Sequence, residues 1–354
     1  RSALRGSLLT ADDDSYDAAR ALYNGMIDKR PLLIARCADV ADVIAAVNFG
    51  RSHGLLTAIR GGGHNGPGLG SCDDGLVIDL SLMKSVRVDP VKRTVRVEPG
   101  CSSGDVDHAT HPFGLAVPSG IVASTGVAGL TLGGGIGYLT RKHGLTIDNL
   151  LEADVVLADG RLVTASEHQH ADLFWALRGG GGNFGVVTSF LFRAHPVSMV
   201  FGGPIFWDAA DAKTVMATYR DFLPTAPEEL GSFVGLKTVP SKDPFPREHW
   251  GKHACAIISC YNGTEANGRK AMAPLLDRLP PPYRLRVLLP RQRLLLDLQL
   301  HHPPLHLVDL LRQRVDLDPQ TARRLVDQVD RLVRQEAPAD VTVAEPRRRD
   351  QRVI

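Results

Sequence analysis

The chain has 354 residues, of which 44% are hydrophobic and 23% charged, and its formal net charge at pH 7 is +2. That length accommodates two domains, or one domain with a large insertion, and the hydrophobic share supports a sizeable core. So even a balance of charge gives no reason to expect a nucleic-acid or membrane partner, and no apolar run approaches the ~18 residues a membrane helix needs.

In chain order, residues 16–26 have helical character and close near Asp28, and residues 32–36 form a short apolar strand. Asp39 is placed to cap a helix over 40–53, with Val43, Ile44, Val47 and Phe49 apolar. A second strand, 56–59, runs directly into Gly61-Gly62-Gly63, and a third covers 76–79. Residues 85–88 and 94–97 alternate like a hairpin around a turn containing Pro90. The stretch 118–137 is rich in glycine, apolar and free of charge. Residues 154–157 and 161–164, joined by Ala158-Asp159-Gly160, read as a second hairpin. A short helix over 172–178 leads into a second glycine loop, 179–183, followed by a strand over 186–192 and a boundary at Pro196. Beyond it, strand 203–207, helix 209–222, strands 231–239 and 254–261, and helix 266–279 suggest a sheet covered by helices on one side.

Composition then changes. The last glycine is Gly268, the last lysine Lys270 and the last aromatic residue Tyr283; from there Arg, Leu, Asp, Gln, His, Pro and Val dominate. One explanation is an Arg-rich helical extension, since residues 321–335 place Leu325, Val329 and Leu332 on one face. The other, which the composition favours, is a reading frame that shifts near residues 280–283. The expected division is therefore a first domain over 1–198 (core about 27–198), a partial second domain over 199–282, and an atypical tail over 283–354.

Chemistry concentrates in the glycine segments. A strand that ends in consecutive glycines can turn its N–H groups inward as an anion nest, because glycine tolerates positive φ and lets a ligand approach the main chain. Taken alone, Gly61-Gly62-Gly63 fits a plain turn better than a nest. The segments 118–137 and 179–182 look like further close-approach backbone, which points to something long and flat being held. Other motifs fail on context. The letters of 180–185 match GxGxxG, yet they follow a helix and open none, so a Rossmann turn does not fit. There is no GxxxxGK[ST] and no HExxH, and the histidines show no metal spacing, so no metal is expected. Cys37, Cys72, Cys101, Cys255 and Cys260 are odd in number and irregularly spaced, which fits free buried thiols. With Arg1 first and no leader pattern after it, a cytoplasmic location is the default, with secretion left open by a native N-terminus that can have been removed.

Arg60-Gly-Gly-Gly-His64-Asn65, Gly75-Leu-Val-Ile-Asp-Leu-Ser81 and Thr125-Gly-Val-Ala-Gly-Leu-Thr-Leu-Gly-Gly-Gly-Ile-Gly137 resemble the FAD-linked oxidases of the berberine-bridge-enzyme type. So do Arg141-Lys-His-Gly-Leu145, Asp148-Asn149 and the run from Asp172 to Thr188. These enzymes belong to the vanillyl-alcohol-oxidase flavoprotein superfamily, and the resemblance covers about residues 10–200. It implies an α+β fold: a two-part FAD-binding domain, and an α/β substrate domain whose antiparallel sheet roofs the flavin, here incomplete toward the C-terminus.

By position the resemblance implies that Arg60, Gly61, Gly62, Gly63, His64 and Asn65 wrap the diphosphate. Thr125, Gly126, Gly129, Gly134, Gly135 and Gly137 would line the flavin and its ribityl chain, and Val186 would sit by the adenine or ribityl portion; Asp79 and Pro118 join the same cofactor-binding set. His64 matches the histidine that bonds the flavin 8α carbon, and a neutral imidazole is a suitable nucleophile near pH 7. The cysteine that bonds flavin C6 in many members falls on Val122, so FAD is expected to be covalent through His64 only. The implied activity is hydride removal from a small alcohol, sugar or amine with O2 as acceptor. Two alternatives stand beside it: a reductase of the UDP-N-acetylenolpyruvoylglucosamine reductase type, and a non-catalytic flavin-binding product of a disrupted gene. The catalytic base is unassigned, with Tyr138, Tyr261 and His253 as weak candidates, and Tyr138 reads better as packing under the flavin.

Overall fold

The computed structural model describes residues 4–197, 199–241, 245 and 247–279, all within one compact unit of the chain. The tail over 283–354, with its two competing explanations, lies outside the described residues.

Chain order begins with β1 (Ser7–Leu9), α1 (Tyr16–Arg20), β2 (Leu33–Arg36), α2 (Val40–Ser52), β3 (Thr57–Arg60) and β4 (Leu76–Asp79). The four strands make one sheet in the order β1-β2-β4-β3, with β2 and β3 parallel to β4 and β1 antiparallel to β2. All four residues of β4 are buried, as a central strand flanked by parallel neighbours requires. Asp39 caps α2 by accepting from the Asp42 N–H at 3.1 Å. The sheet and α2 share a core of Val43, Ala46, Leu76, Ile78, Leu80 and Met83.

Helix α1 stops at Arg20, six residues short of the helical stretch expected up to Met26. The Arg20 guanidinium bonds Asp17, Asp28 and the Lys29 carbonyl, and the chain turns extended at Ala21. Tyr23 then gives its N–H to the Gly63 carbonyl rather than to a helical acceptor. A tertiary hydrogen bond has overridden local propensity.

Next come β5 (Val86–Asp89), β6 (Thr94–Val97), α3 (Ser103–Thr110), β7 (Leu115–Ala116), α4 (Val127–Leu132), α5 (Thr140–His143), β8 (Leu150–Val156), β9 (Leu162–Ser166), α6 (Ala171–Leu177), β10 (Val186–Arg193) and β11 (His195–Pro196). A five-stranded antiparallel sheet runs β5-β6-β10-β8-β9, and β7 pairs with β11. Both expected hairpins are present, β5 with β6 and β8 with β9. Phe190, Phe192, Val95, Val97, Leu132 and Leu177 pack this sheet against α3, α4 and α6.

The last described elements are β12 (Phe201–Asp208), α7 (Ala212–Phe222), β13 (Leu230–Thr238), β14 (His253–Tyr261) and α8 (Glu265–Leu276). The strands form an antiparallel sheet in the order β12-β14-β13. Trp207, Leu230, Cys255, Ile257 and Tyr261 face α7 and α8, sharing a core with Val215, Phe222, Met272 and Leu275. Ile258, Cys260 and Phe233 lie on the opposite face, against Ala116, Tyr138, Leu139 and Val197. One side of this sheet is thus helix-covered, and the other meets the glycine-rich lobe.

Candidate functional site

At the end of β3 the parallel register places Arg36 and Arg60 on either side of Asp79. The Arg60 Nη2 donates to Asp79 Oδ2 at 2.8 Å, Arg36 lies 3.5 Å from the same oxygen, and the Ser81 N–H donates to Asp79 Oδ1 at 3.0 Å. Arg60 and Asp79 are both buried. Their side chains are engaged with one another, so this pair braces the strand end from which the glycine loop departs. What the loop offers a ligand is its main chain.

Among the described residues, the N–H groups of Gly61, Gly62, Gly63 and His64 have no backbone or side-chain acceptor. Gly63 has φ +68°, the left-handed conformation that favours glycine. Gly62 is exposed on one side, yet a Cβ there would lie 2.5 Å from both Cα and N of Gly126. The first and second glycine segments therefore touch backbone to backbone. Hydrogen bonds fix the second: the Ser103 N–H donates to the Thr125 carbonyl at 2.9 Å, and the Val127 N–H to the Cys101 carbonyl at 2.9 Å. Asn65 closes its own turn, its Oδ1 accepting from the Leu69 N–H at 2.9 Å.

Further along, Gly134 and Gly135 have φ of +108° and +80°, and their carbonyls accept from the N–H groups of Ile147 and Thr146, each at 3.0 Å. A Cβ on Gly137 would collide with the Ser119 carbonyl oxygen at 1.7 Å. Pro118 is buried beside this crossing, and Gly129 is exposed with nothing close to the place a Cβ would take. Ile136, between the constrained glycines, is 74% exposed. The Gly181 N–H donates to the Leu132 carbonyl at 3.2 Å, which joins the third glycine segment to the end of α4. Val186 is buried with Ile78 and Leu80 in the core of the first sheet.

His64 sits on the loop half-buried, its ring stacked on Tyr23 with centroids 4.0 Å apart and planes 15° apart. Burial holds its pKa below the ordinary histidine value, against an opposing hydrogen bond with the Ser124 backbone. A ring nitrogen that donates to that carbonyl leaves the other with its lone pair, so near pH 7 the imidazole is neutral and nucleophilic. Val122 is half-buried in the same segment and brings no thiol.

Of the weak candidates for the base, Tyr261 belongs to the helix-facing core, on the side of the sheet away from the glycine segments. His253 is exposed at the start of β14, opposite Thr238. Neither meets the glycine segments. Tyr138 does: it directly follows Gly137, stacks on Phe233 at 5.3 Å, and its buried hydroxyl has no hydrogen-bond partner among the described residues. Burial pushes its phenol pKa up, favouring a neutral hydrogen-bond donor over a base.

A polar junction escaped the sequence reading. His143 and His195 stack at 4.0 Å, His195 Nε2 lies 2.6 Å from Asn149 Oδ1, and Lys142 pairs with Glu229 at 3.2 Å. Only the Arg141-Lys142-His143 run and Asp148-Asn149 gave any signal in the sequence.

Does a flavin dinucleotide fit these residues? A main chain with unclaimed N–H donors suits a diphosphate, and the Gly62–Gly126 approach leaves an uncluttered surface for a flat ring system. The buried Tyr138 hydroxyl, directly after Gly137, is without a hydrogen-bond partner among the described residues. Both features fit the group. Comparison with known proteins agrees: residues 31–166 match the FAD binding domain family. An FAD-linked oxidoreductase of Bacillus subtilis (YgaK), itself uncharacterized, is 36% identical over 288 residues, covering 79% of this chain and 61% of that protein. Among solved structures, 6-hydroxy-D-nicotine oxidase from Arthrobacter nicotinovorans matches with TM-score 0.76 and 29% identity, over 85% of this chain and 65% of that one. A chitooligosaccharide oxidase matches with TM-score 0.73 and 28% identity, over 83% and 61% respectively. The chain thus spans about half of the length of the curated relatives it matches and somewhat more of the solved structures.

Proposed function

We propose that this chain, which belongs to the FAD-linked oxidoreductases of the vanillyl-alcohol-oxidase flavoprotein family, is an oxidase of a small alcohol, sugar or amine that holds its FAD covalently through His64 alone. The observation that carries the reading is the convergence of the glycine loop, the Thr125–Gly126 segment and one neutral histidine. When bound, the flavin supplies a two-electron acceptor for hydride from a C–H bond next to oxygen or nitrogen, and O2 restores it with release of hydrogen peroxide.

The protein's part is binding and orientation. Main-chain N–H groups from Gly61 to His64 hold the diphosphate, and Arg60 supports them through its buried pair with Asp79. Gly126 and Gly137 let main-chain segments meet where a Cβ would strike Gly62 and the Ser119 carbonyl, Gly135 lies as close to Thr146, and Ile136 between these glycines leaves an apolar side chain exposed. Tyr138 offers its unclaimed hydroxyl as a hydrogen-bond donor at the seam with the second sheet. Val122 restricts the protein linkage to one bond. Nothing supports Tyr261 or His253 as the substrate's proton acceptor, since Tyr261 lies in the helix-facing core and His253 is exposed at the start of β14.

The test is peroxide release by air-saturated protein against a panel of heterocyclic amines, oligosaccharides and primary alcohols. Flavin that is bleached anaerobically by a panel member and yields peroxide on aeration supports the oxidase. Flavin that is bleached by a reduced nicotinamide nucleotide and is freed by acid would instead establish the reductase.

A further inference from the structure

The FAD-binding-domain match begins at residue 31, so the segment that leads into it has no assigned role. In the structure that segment is strapped along the glycine loop. The Tyr23 N–H donates to the Gly63 carbonyl at 3.2 Å, and Asn24 Nδ2 donates to the Gly66 carbonyl at 2.9 Å. Leu22 comes within 3.6 Å of the place a Gly63 Cβ would take. Between these ties Tyr23 lays its ring flat on the His64 imidazole.

Tyr23 is 55% exposed, too open for core burial to explain its aromatic side chain. A histidine on a loop has more than one staggered rotamer open to it. The Ser124 carbonyl engages one edge of the ring. The Tyr23 face sets the plane. A ring held at an edge and on a face points its remaining nitrogen in one direction.

We propose that Tyr23 is the positioning residue for flavin attachment: its ring orients His64 so that the free nitrogen faces the flavin 8α carbon. This rests on the reading that His64 carries the flavin. The bond joins that nitrogen to the 8α-methyl carbon. One hydrogen leaves the methyl group and one leaves the imidazole, both as protons; the two electrons reduce the flavin, and O2 takes them up to give hydrogen peroxide. Tyr23 has no part in this electron count. It shortens the search for the reactive orientation.

The experiment follows covalent incorporation in the full-length chain, produced without flavin and then incubated with FAD in air. Flavin that stays with acid-precipitated protein is read by fluorescence against time for wild type, Y23F, Y23W, Y23L and Y23M. An aromatic stack of ordinary strength predicts about three- to tenfold slower incorporation in Y23L and Y23M, with Y23F and Y23W near the wild-type rate. In an H64A background, Y23L should leave noncovalent FAD affinity unchanged, which separates orientation from building the site. Wild-type rates in Y23L or Y23M overturn the proposal, and so does equal slowing in Y23F and Y23W. An affinity loss in H64A/Y23L also overturns it, because Tyr23 would then be part of the FAD site itself. A wild-type pellet without flavin has a different meaning: it removes the His64 linkage on which the proposal stands.

Discussion

Replacing Gly62 with alanine should damage the flavin site through one methyl group. The added Cβ would lie 2.5 Å from Gly126 Cα and N, where 3.4 Å is the near edge of ordinary contact. Both obstacles are backbone atoms, so no side-chain rotation relieves the clash, and the two segments must part by about 1 Å. The Gly126 side cannot yield easily, because Thr125 and Val127 are hydrogen-bonded to Ser103 and Cys101 on either side of it. Overpacking of this kind costs about 1–3 kcal/mol. At about 2–4 °C per kcal/mol for a domain of this size, Tm should fall by roughly 2–12 °C. Bound flavin per chain should fall as well, since the N–H groups that move are those proposed to hold the diphosphate. Gly129→Ala is the control: nothing lies within 4 Å of its Cβ, and it sits in helix α4, so stability should hold or rise. Tm by differential scanning fluorimetry and flavin content by absorbance settle the matter. G62A with the Tm and flavin content of wild type would refute the close approach of the two segments.

Asp79→Ala should cost about 3–5 kcal/mol in urea unfolding, because it strands the buried Arg60 guanidinium; a loss below about 1 kcal/mol would show that the pair is not the brace described. Tyr138→Phe removes a buried hydroxyl without a partner among the described residues, so flavin-free protein should gain up to about 1–3 kcal/mol. A fall in its Tm would reveal a partner for that hydroxyl. The His143–His195 junction sets a pH dependence. Burial first, then His143 and Arg193, hold the His195 pKa at about 4, below the ordinary 6.5. The unfolded chain therefore binds more protons between those values. Stability is fully present above pH 6.5 and is lost as pH falls toward 4. His195→Gln should flatten that part of the Tm profile, and an unchanged slope would contradict the assignment.

What could be read in the sequence was what is local. The strand running into Gly61-Gly62-Gly63, the two hairpins and the Asp39 cap each depend on neighbours a few residues away, and each falls where the pattern placed it. Asp79 is different. Its engagement with Arg36 and Arg60 comes from the register of two parallel pairings, which no local signal carries. The side of the sheet to which Tyr261 points was hidden as well: every residue of β14 after His253 is buried, so the strand lacks the period-two alternation that marks a face. Helix α4 was masked by its own glycines, since Gly126, Gly129 and Gly133 make the segment read as loop. His143 and His195 meet only because α5 and the β7–β11 pair bring them together. The truncation of α1 has the same origin, a hydrogen bond between Tyr23 and Gly63 that closes over a long loop.

The most direct test of the flavin assignment is the intact mass of the acid-denatured chain, followed by mapping of the modified peptide. Wild type should carry the mass of one FAD less two hydrogens, all of it on the peptide containing His64, and H64A should carry none. Unmodified wild-type protein, or a modification retained in H64A, would contradict the linkage at the loop that β3 presents.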